Sequence, residues 1–282
     1  MKPETEKILY ETHSHTPLCK HAIGDPSEYA QAAYDCGLRG LTVTCHNPMP
    51  NGYSAGVRME MDQFQEYVDL VEQTRVQWDG RLDVRLGLEC DYFPGYESWL
   101  EKQVNAADFH YILGSVHPQC REFYDKFWQD DPIDFQLSYF DQLAQTAEQG
   151  LFDCLSHPDL VKNETSTDWN PLEILDDIRA ALDRIARTGI AMELNTSGLR
   201  KTISEMNPCP EILLEIRARE IPIVIGADAH DPGRVGDRFV EALDLLAKCG
   251  FESVSYFLER RRHDVPIHVA RESLTTFAHS LS

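Results

Sequence analysis

Seven short apolar segments recur along the chain, and six of them are followed at once, or after one residue, by a histidine, a glutamate or an aspartate. The segments cover 8–12, 41–45, 84–88, 111–116, 152–156, 190–194 and 222–226, with mostly helical patterns between them. Most are rich in Val, Ile or Leu, as parallel strands buried on both faces are. The first, Ile-Leu-Tyr-Glu-Thr, is the least strand-like. After it comes His13-Ser14-His15, with His21 six residues further on. His46 follows the second segment, Glu89 the third, His117 the fourth, His157 the fifth and Asp228-Ala229-His230 the seventh. Only the sixth, followed by Asn195, offers no strong metal-type side chain.

The stretches between the segments carry helix punctuation. Asp25-Pro26-Ser27-Glu28 supplies an N-cap, a proline in the first turn and a capping-box glutamate, and Gly37 supplies a stop. Met61, Phe64, Val68 and Val71 recur at helical spacing, as do Phe239, Leu243 and Leu246. Pro171 is expected to open a helix running to Thr188, before Gly189. Alternating strands and helices imply a parallel α/β sheet. Seven strands without a Gly-rich nucleotide loop favour a barrel. Neither an internal repeat nor a Pro/Gly/Ser linker divides residues 1–282, which are read as one domain. The run Arg260-Arg261-Arg262 reads as a solvated helix face or end.

In such folds the C-terminal ends of the strands share one mouth, where active sites are built. Nine candidate ligands converge there: His13, His15, His21, His46, Glu89, His117, His157, Asp228 and His230. Any one of these histidines alone would read as a hydrogen-bonded structural residue. Together they read as a metal centre, because chance rarely places such side chains after six of seven strands. Mixed imidazole and carboxylate donors suit Zn, Mn or Fe better than Ca or Mg. Nine donors exceed the four or five that one ion takes, so several ions are implied, with Glu89 able to bridge two of them. Such a centre suits hydrolysis at phosphorus.

Charge and cysteine usage narrow the partners. Forty-seven Asp and Glu against 26 Lys and Arg give a formal charge of −21, which disfavours nucleic acid and anionic membrane surfaces. No apolar run approaches the roughly 20 residues of a membrane span. The polar start Met1–Lys7 lacks the apolar core of a signal peptide, so a cytoplasmic location is expected. Eight cysteines without a C-x-x-C pair read as free thiols, which argues against a redox protein.

At these residues the sequence resembles the PHP (polymerase and histidinol phosphatase) family, and within it the histidinol-phosphatase branch. The resemblance rests on His13-Ser14-His15-Thr16-Pro17-Leu18-Cys19-Lys20-His21, Gly87-Leu88-Glu89-Cys90-Asp91-Tyr92 and Gly114-Ser115-Val116-His117. It continues through Phe152-Asp153, His157-Pro158-Asp159, Glu193-Leu194-Asn195-Thr196-Ser197-Gly198-Leu199-Arg200-Lys201 and Gly226-Ala227-Asp228-Ala229-His230. It implies a distorted (β/α)7 barrel with three divalent ions. By that resemblance His13, His15, Glu89 and Asp228 hold the first ion, and Glu89, His117 and His157 the second. His21, His46 and His230 hold the third. Two departures stand out. Cys45 occupies a position where the family often has Asp, and reads as an inert filler or, less favoured, a point of oxidative inactivation. Asn163 stands where some relatives carry Arg, with Lys162 beside it.

The implied reaction is hydrolysis of a small phosphate monoester, L-histidinol phosphate first among them, by a hydroxide bridging the metals. This would be a late step of histidine biosynthesis. Glu89, Asp228 and His230 are the candidate catalytic residues. Arg200 is the leading phosphate clamp, with Lys201 and Lys162 behind it. Asp91 and Asp159 are candidate partners for the substrate's ammonium group. A phosphoesterase of another specificity, acting on another monoester, a cyclic phosphate or a nucleotide, is the nearest alternative. A non-catalytic, metal-dependent regulator is the alternative from another class.

Overall fold

The computed structural model describes residues 7–280, so the polar start read as signal-free lies mostly outside the described residues. Seven parallel strands stand side by side in chain order. They are β1 (Tyr10–Glu11), β2 (Gly40–Val43), β3 (Asp83–Asp91), β4 (Tyr111–Ser115), β5 (Cys154–Leu155), β6 (Ala191–Asn195) and β7 (Ile223–Gly226). All seven expected strands are present. Glu89 and Asn195 lie inside the ends of β3 and β6 rather than after them.

Helices connect the strands in the right order for a wound α/β domain: α1 (Pro26–Asp35), α2 (Phe64–Gln77), α3 (Glu97–Gln103), α4 (Arg121–Phe127), α5 (Pro132–Glu148), α6 (Leu175–Ala186), α7 (Pro210–Ala218) and α8 (Phe239–Lys248). The expected capping box opens α1: Asp25 accepts from Ser27 N and Glu28 N, and Glu28 accepts from Asp25 N. The helix expected from Pro171 begins later, at Leu175, because the Pro171–Ile174 stretch is spent on a turn. Buried Leu, Ile, Phe and Tyr from strands and helices join in one large core around the barrel wall.

The ladder does not close, because β1 and the last strand are not paired. The β1 and β7 sides are joined toward the site end by a parallel bridge between Ser14 and Ala229, and by Thr12 Oγ1 donating to the Ile225 carbonyl at 2.9 Å. There His15 N donates to Ala229 O at 2.9 Å and Ala229 N to His13 O at 2.9 Å. The segments carrying His13, His15, Asp228 and His230 are therefore stitched directly together. A second bridge, between His46 and Glu89, extends the β2–β3 ladder toward the same mouth.

Two further strands were not expected. β8 (Ser253–Leu258) pairs parallel to β7, and β9 (Arg261–Pro266) returns antiparallel before α9 (Ile267–Ser280). The arginine run is thus a hairpin turn and strand, not a helix face. Glu259 and Arg260 take left-handed φ values of 52° and 61° in the turn. Arg260 Nε then reaches Asp153 at 2.5 Å and its Nη2 the Leu151 carbonyl at 2.7 Å, pinning the hairpin to the segment that leads into β5. No helix among the described residues is long and apolar enough to cross a membrane.

Candidate metal centre

All nine expected ligands meet at the C-terminal ends of the strands, with Glu89 at their centre. Its Oε2 lies 3.4 Å from His13 Nε2, 3.6 Å from His15 Nε2 and 2.9 Å from His46 Nδ1. Its Oε1 lies 3.5 Å from His117 Nε2 and 3.2 Å from His157 Nε2. Asp228 Oδ1 is 3.1 Å from His15 Nε2, 3.6 Å from His13 Nε2 and 3.3 Å from His230 Nδ1. Donor atoms of His13, His15 and Asp228 lie within 4.8 Å of one another, as do those of His15, His46 and Glu89 and those of His21, His46 and His230.

The backbone is bent to bring these side chains in. His157 and Asp228 both take left-handed φ values, 28° and 50°, just past the ends of β5 and β7. Such conformations persist only where surrounding bonds enforce them. At His157 those bonds are N–H donation to Glu193 Oε2 at 3.0 Å and acceptance from the Tyr139 hydroxyl at 2.9 Å. Glu193 also accepts from His13 Nδ1 at 2.8 Å and from Asn195 Nδ2 at 2.9 Å, so one buried carboxylate positions two of the imidazole-bearing segments. Gly226 makes room for it: a Cβ there would collide with Glu193 Oε1 and sit 2.8 Å from His13 Cβ. Asp91 plays the same part for His117, whose Nδ1 it holds at 2.8 Å. The Arg58 guanidinium, itself buried, fixes Asp91 at 2.5 Å. Carboxylates behind imidazoles set the tautomer and leave Nε2 as the free donor.

Sequence reasoning gave no role to Glu193 or Arg58, and sent Asp91 to the substrate. A signal for Glu193 was available, since an acid inside the otherwise apolar strand 190–194 needs a buried partner. Arg58 had no such signal, because it lies in an irregular loop.

Electrostatically the centre is under tension. Burial opposes charge on His13, but Glu193, Asp228 and Glu89 hold its pKa well above the usual imidazole value. His15, against the same penalty, is lifted to about 10, chiefly by its bond to Asp228. His46 and His230 go the other way, pulled to about 3 and about 4 by burial. Glu89 and Asp228 resist their burial and stay well below the carboxylate range, because His46 and His13 face the one and His13 and His15 the other. Five buried atoms here make no hydrogen bond: His13 Nε2, His15 Nδ1, His46 Nδ1, Glu89 Oε2 and His230 Nε2. Buried polar atoms left unpaired are costly, and a cluster of imidazole and carboxylate donors converging on one space fits divalent cations.

Above the cluster opens a cavity of about 1050 Å³, whose lining includes His21, His46, His117, His157, Asp228 and His230. Of the three expected phosphate contacts, Arg200 and Lys201 line it. Arg200 is exposed and tied to Asp237 at 2.8 Å, whereas Lys201 makes no ion pair among the described residues; burial lowers the His157 pKa, and the Lys201 charge adds a little to that. Lys162 is a correction. It is fully buried, bonded to Asp159 at 3.1 Å, Glu205 at 3.2 Å and the Met206 carbonyl at 2.9 Å, and does not reach the mouth. Asp159 and Asp91 are not available to a substrate ammonium either. Asp159 is buried and accepts from Asn207, Cys209 N and Lys162, while Asp91 is spent on Arg58 and His117. Asn163 accepts from Ile203 N at 3.0 Å, bracing the loop beyond Lys201. Cys45 is buried, its sulfur accepting from the Thr16 hydroxyl at 3.2 Å, and all eight thiols are free.

Residues 11–197 match the family model for the PHP domain. A probable histidinol-phosphatase of Deinococcus radiodurans is 41% identical over 254 residues, covering 88% of this chain and 96% of that protein. A histidinol-phosphatase of Bacillus subtilis is 24% identical, covering 79% of this chain and 94% of its own length. Among solved structures, a histidinol phosphate phosphatase from Lactococcus lactis, complexed with zinc, L-histidinol and phosphate, superposes with a TM-score of 0.77. Its identity is 18%, over 90% of this chain and 98% of that one.

Proposed function

The chain belongs to the PHP domain family and is a histidinol-phosphatase-like hydrolase, and from that premise we propose that it hydrolyses L-histidinol phosphate to L-histidinol and inorganic phosphate at a centre of three divalent ions. The five buried atoms around Glu89 and His230 that converge without a formed hydrogen bond carry this reading. His13, His15, Glu89 and Asp228 would hold one ion, Glu89, His117 and His157 a second, and His21, His46 and His230 a third. Zn, Mn and Fe all suit these donors. When bound, the ions supply positive charge to the phosphate oxygens and a water acidic enough to attack at neutral pH.

The protein's own residues supply orientation and grip. Ser115 Oγ donates to Glu89 Oε1 at 2.7 Å, and Ser197 Oγ to Asp228 Oδ2 at 3.2 Å, so both carboxylates are held from behind. Lys201 and Arg200 face the cavity and bind the phosphate oxygens, concentrating positive charge locally in a strongly acidic protein. Water adds to phosphorus, the ester P–O bond breaks, and the leaving alcohol oxygen takes up a proton. A place in histidine biosynthesis and a cytoplasmic location follow from the same reading, which free thiols suit.

The test is phosphate release from L-histidinol phosphate by protein reconstituted with Zn or Mn, beside chelated protein and a panel of other phosphate mono- and diesters. Chelator-sensitive release with preference for histidinol phosphate is expected. Turnover of another ester with histidinol phosphate untouched would overturn the substrate and keep the centre. Activity that survives complete metal removal would overturn both.

A further inference from the structure

The cavity is electrically two-sided. Arg200, Lys201 and Arg234, on the loops beyond β6 and β7, form one wall. The loop 52–58 after β2 and the segment 117–122 after β4 line a second part of the cavity. On that second wall Arg58 is buried in its pair with Asp91, while the exposed Arg121 pairs along its own helix with Asp125 at 3.2 Å. Glu122, in the first turn of α4, has no ion-pair partner among the described residues and lines the cavity.

Glu122 is also aimed. Its Oε1 accepts from Ser54 N at 2.9 Å and its Oε2 from Ser54 Oγ at 2.8 Å, which pins the carboxylate between the two loops that make the wall. Both bonds come from neutral donors, and each oxygen keeps a second lone pair. The other two carboxylates in the lining are committed elsewhere. Asp228 is bound to His15 and Ser197, and Asp231 caps the turn that carries Arg234, on the cationic wall. An oriented anion held in no ion pair, reached by Arg58 only at longer range and sharing its cavity with Arg200, Lys201 and Arg234, is suited to receive a positive charge on the substrate.

We propose that Glu122, preset by Ser54, receives the ammonium group of the substrate's alcohol portion and so selects phosphate esters of amino alcohols over uncharged esters. This rests on the reading of the site as a phosphomonoesterase centre and names the residue that sets its substrate class. Asp91 and Asp159 cannot take this part, since both are buried in ion pairs.

The test compares kcat/KM for L-histidinol phosphate with that for p-nitrophenyl phosphate in the metal-loaded protein and in Glu122→Gln. The ratio is expected to fall about tenfold, carried by KM, as a partly desolvated ion pair is lost. Ser54→Ala, which keeps the charge but frees its orientation, is expected to give a smaller fall in the same ratio. Thermal melting separates these effects from misfolding. Equal losses on both substrates would overturn the proposal. If the wild-type protein leaves histidinol phosphate untouched, the substrate reading fails by itself. Glu122 is then judged on phosphoethanolamine against ethyl phosphate, where an unchanged ratio in Glu122→Gln overturns it and a fall of about tenfold sustains it.

Discussion

The inner and outer halves of the mouth use the same side chain and brace it differently. On the inner side His13 and His117 each lean on a buried carboxylate, Glu193 and Asp91. On the outer side His21 and His230 donate to main-chain carbonyls, those of Cys19 at 2.7 Å and Asp228 at 3.1 Å, with the Asp228 carboxylate at 3.3 Å from the same His230 nitrogen. Exposure follows the same division: the His13 side chain is fully covered, while that of His230 is 26% exposed and lines the cavity. A carboxylate behind an imidazole makes it a stronger and more rigid donor, whereas a carbonyl only orients it. On the proposed three-ion reading, the inner half would retain its ions, and the outer half would exchange with solvent and meet the substrate. His46 joins them, standing beside both Glu89 and His21.

The sharpest way to break this comparison is to remove its centre. Five imidazoles lie within 3.6 Å of Glu89. Glu89→Gln should lower kcat by on the order of 10³-fold and cost more than one equivalent of bound metal. Metal analysis after gel filtration checks this, and retention of every equivalent would mean that Glu89 bridges nothing. His21→Ala should behave differently, losing one equivalent and about 10²-fold in activity while the inner ions stay. Simultaneous loss of all metal from His21→Ala would erase the distinction between the halves.

Much of this division could be read along the chain, and the unread part has a common cause. All the candidate donors but His21, which lies beyond a further turn after β1, were legible because they sit at or just beyond a strand end, and strand ends in a parallel fold share one mouth. The strands were legible because burial on both faces leaves a continuous apolar run. The hairpin of β8 and β9 was not, because β9 is an exposed edge whose Arg-Arg-His-Asp carries no apolar alternation. Direction was equally hidden. Lys162 reads as a cation near the site, yet its local turn points it inward to Asp159. Asp91 reads as a free acid two residues from Glu89, yet it is answered by Arg58 from a loop 33 residues away. Pairings of that kind depend on tertiary geometry, which spacing along one chain does not encode.

The carboxylate braces give a finer test. Glu193→Gln keeps the shape of the side chain and removes the charge behind His13. It should weaken inner-site metal affinity by about 10- to 100-fold, read by competition with a chromogenic chelator, and leave the occupancy of the outer site unchanged. An equal weakening of both would show that Glu193 supports the fold of the whole mouth instead of one of its donors.

The cations of the cavity fall along the same line, and they supply the smallest effect. Lys201 lies toward His157 on the inner side and is in no ion pair among the described residues, with Glu164 near enough only to feel its charge, so most of that charge is available to a bound phosphate. Arg200 stands further out, 57% exposed, and shares Asp237 with Arg234. To grip phosphate it must give up part of that pairing, and solvent screens whatever it gains. Lys201→Ala should therefore cost about tenfold in kcat/KM, and Arg200→Ala only about two- to threefold, mostly in KM. Raising the salt from 50 to 500 mM should shrink the Arg200 effect further and leave most of the Lys201 effect. The reverse ranking would mean that Arg200 leaves Asp237 when substrate arrives, and that the outer rim closes onto the phosphate.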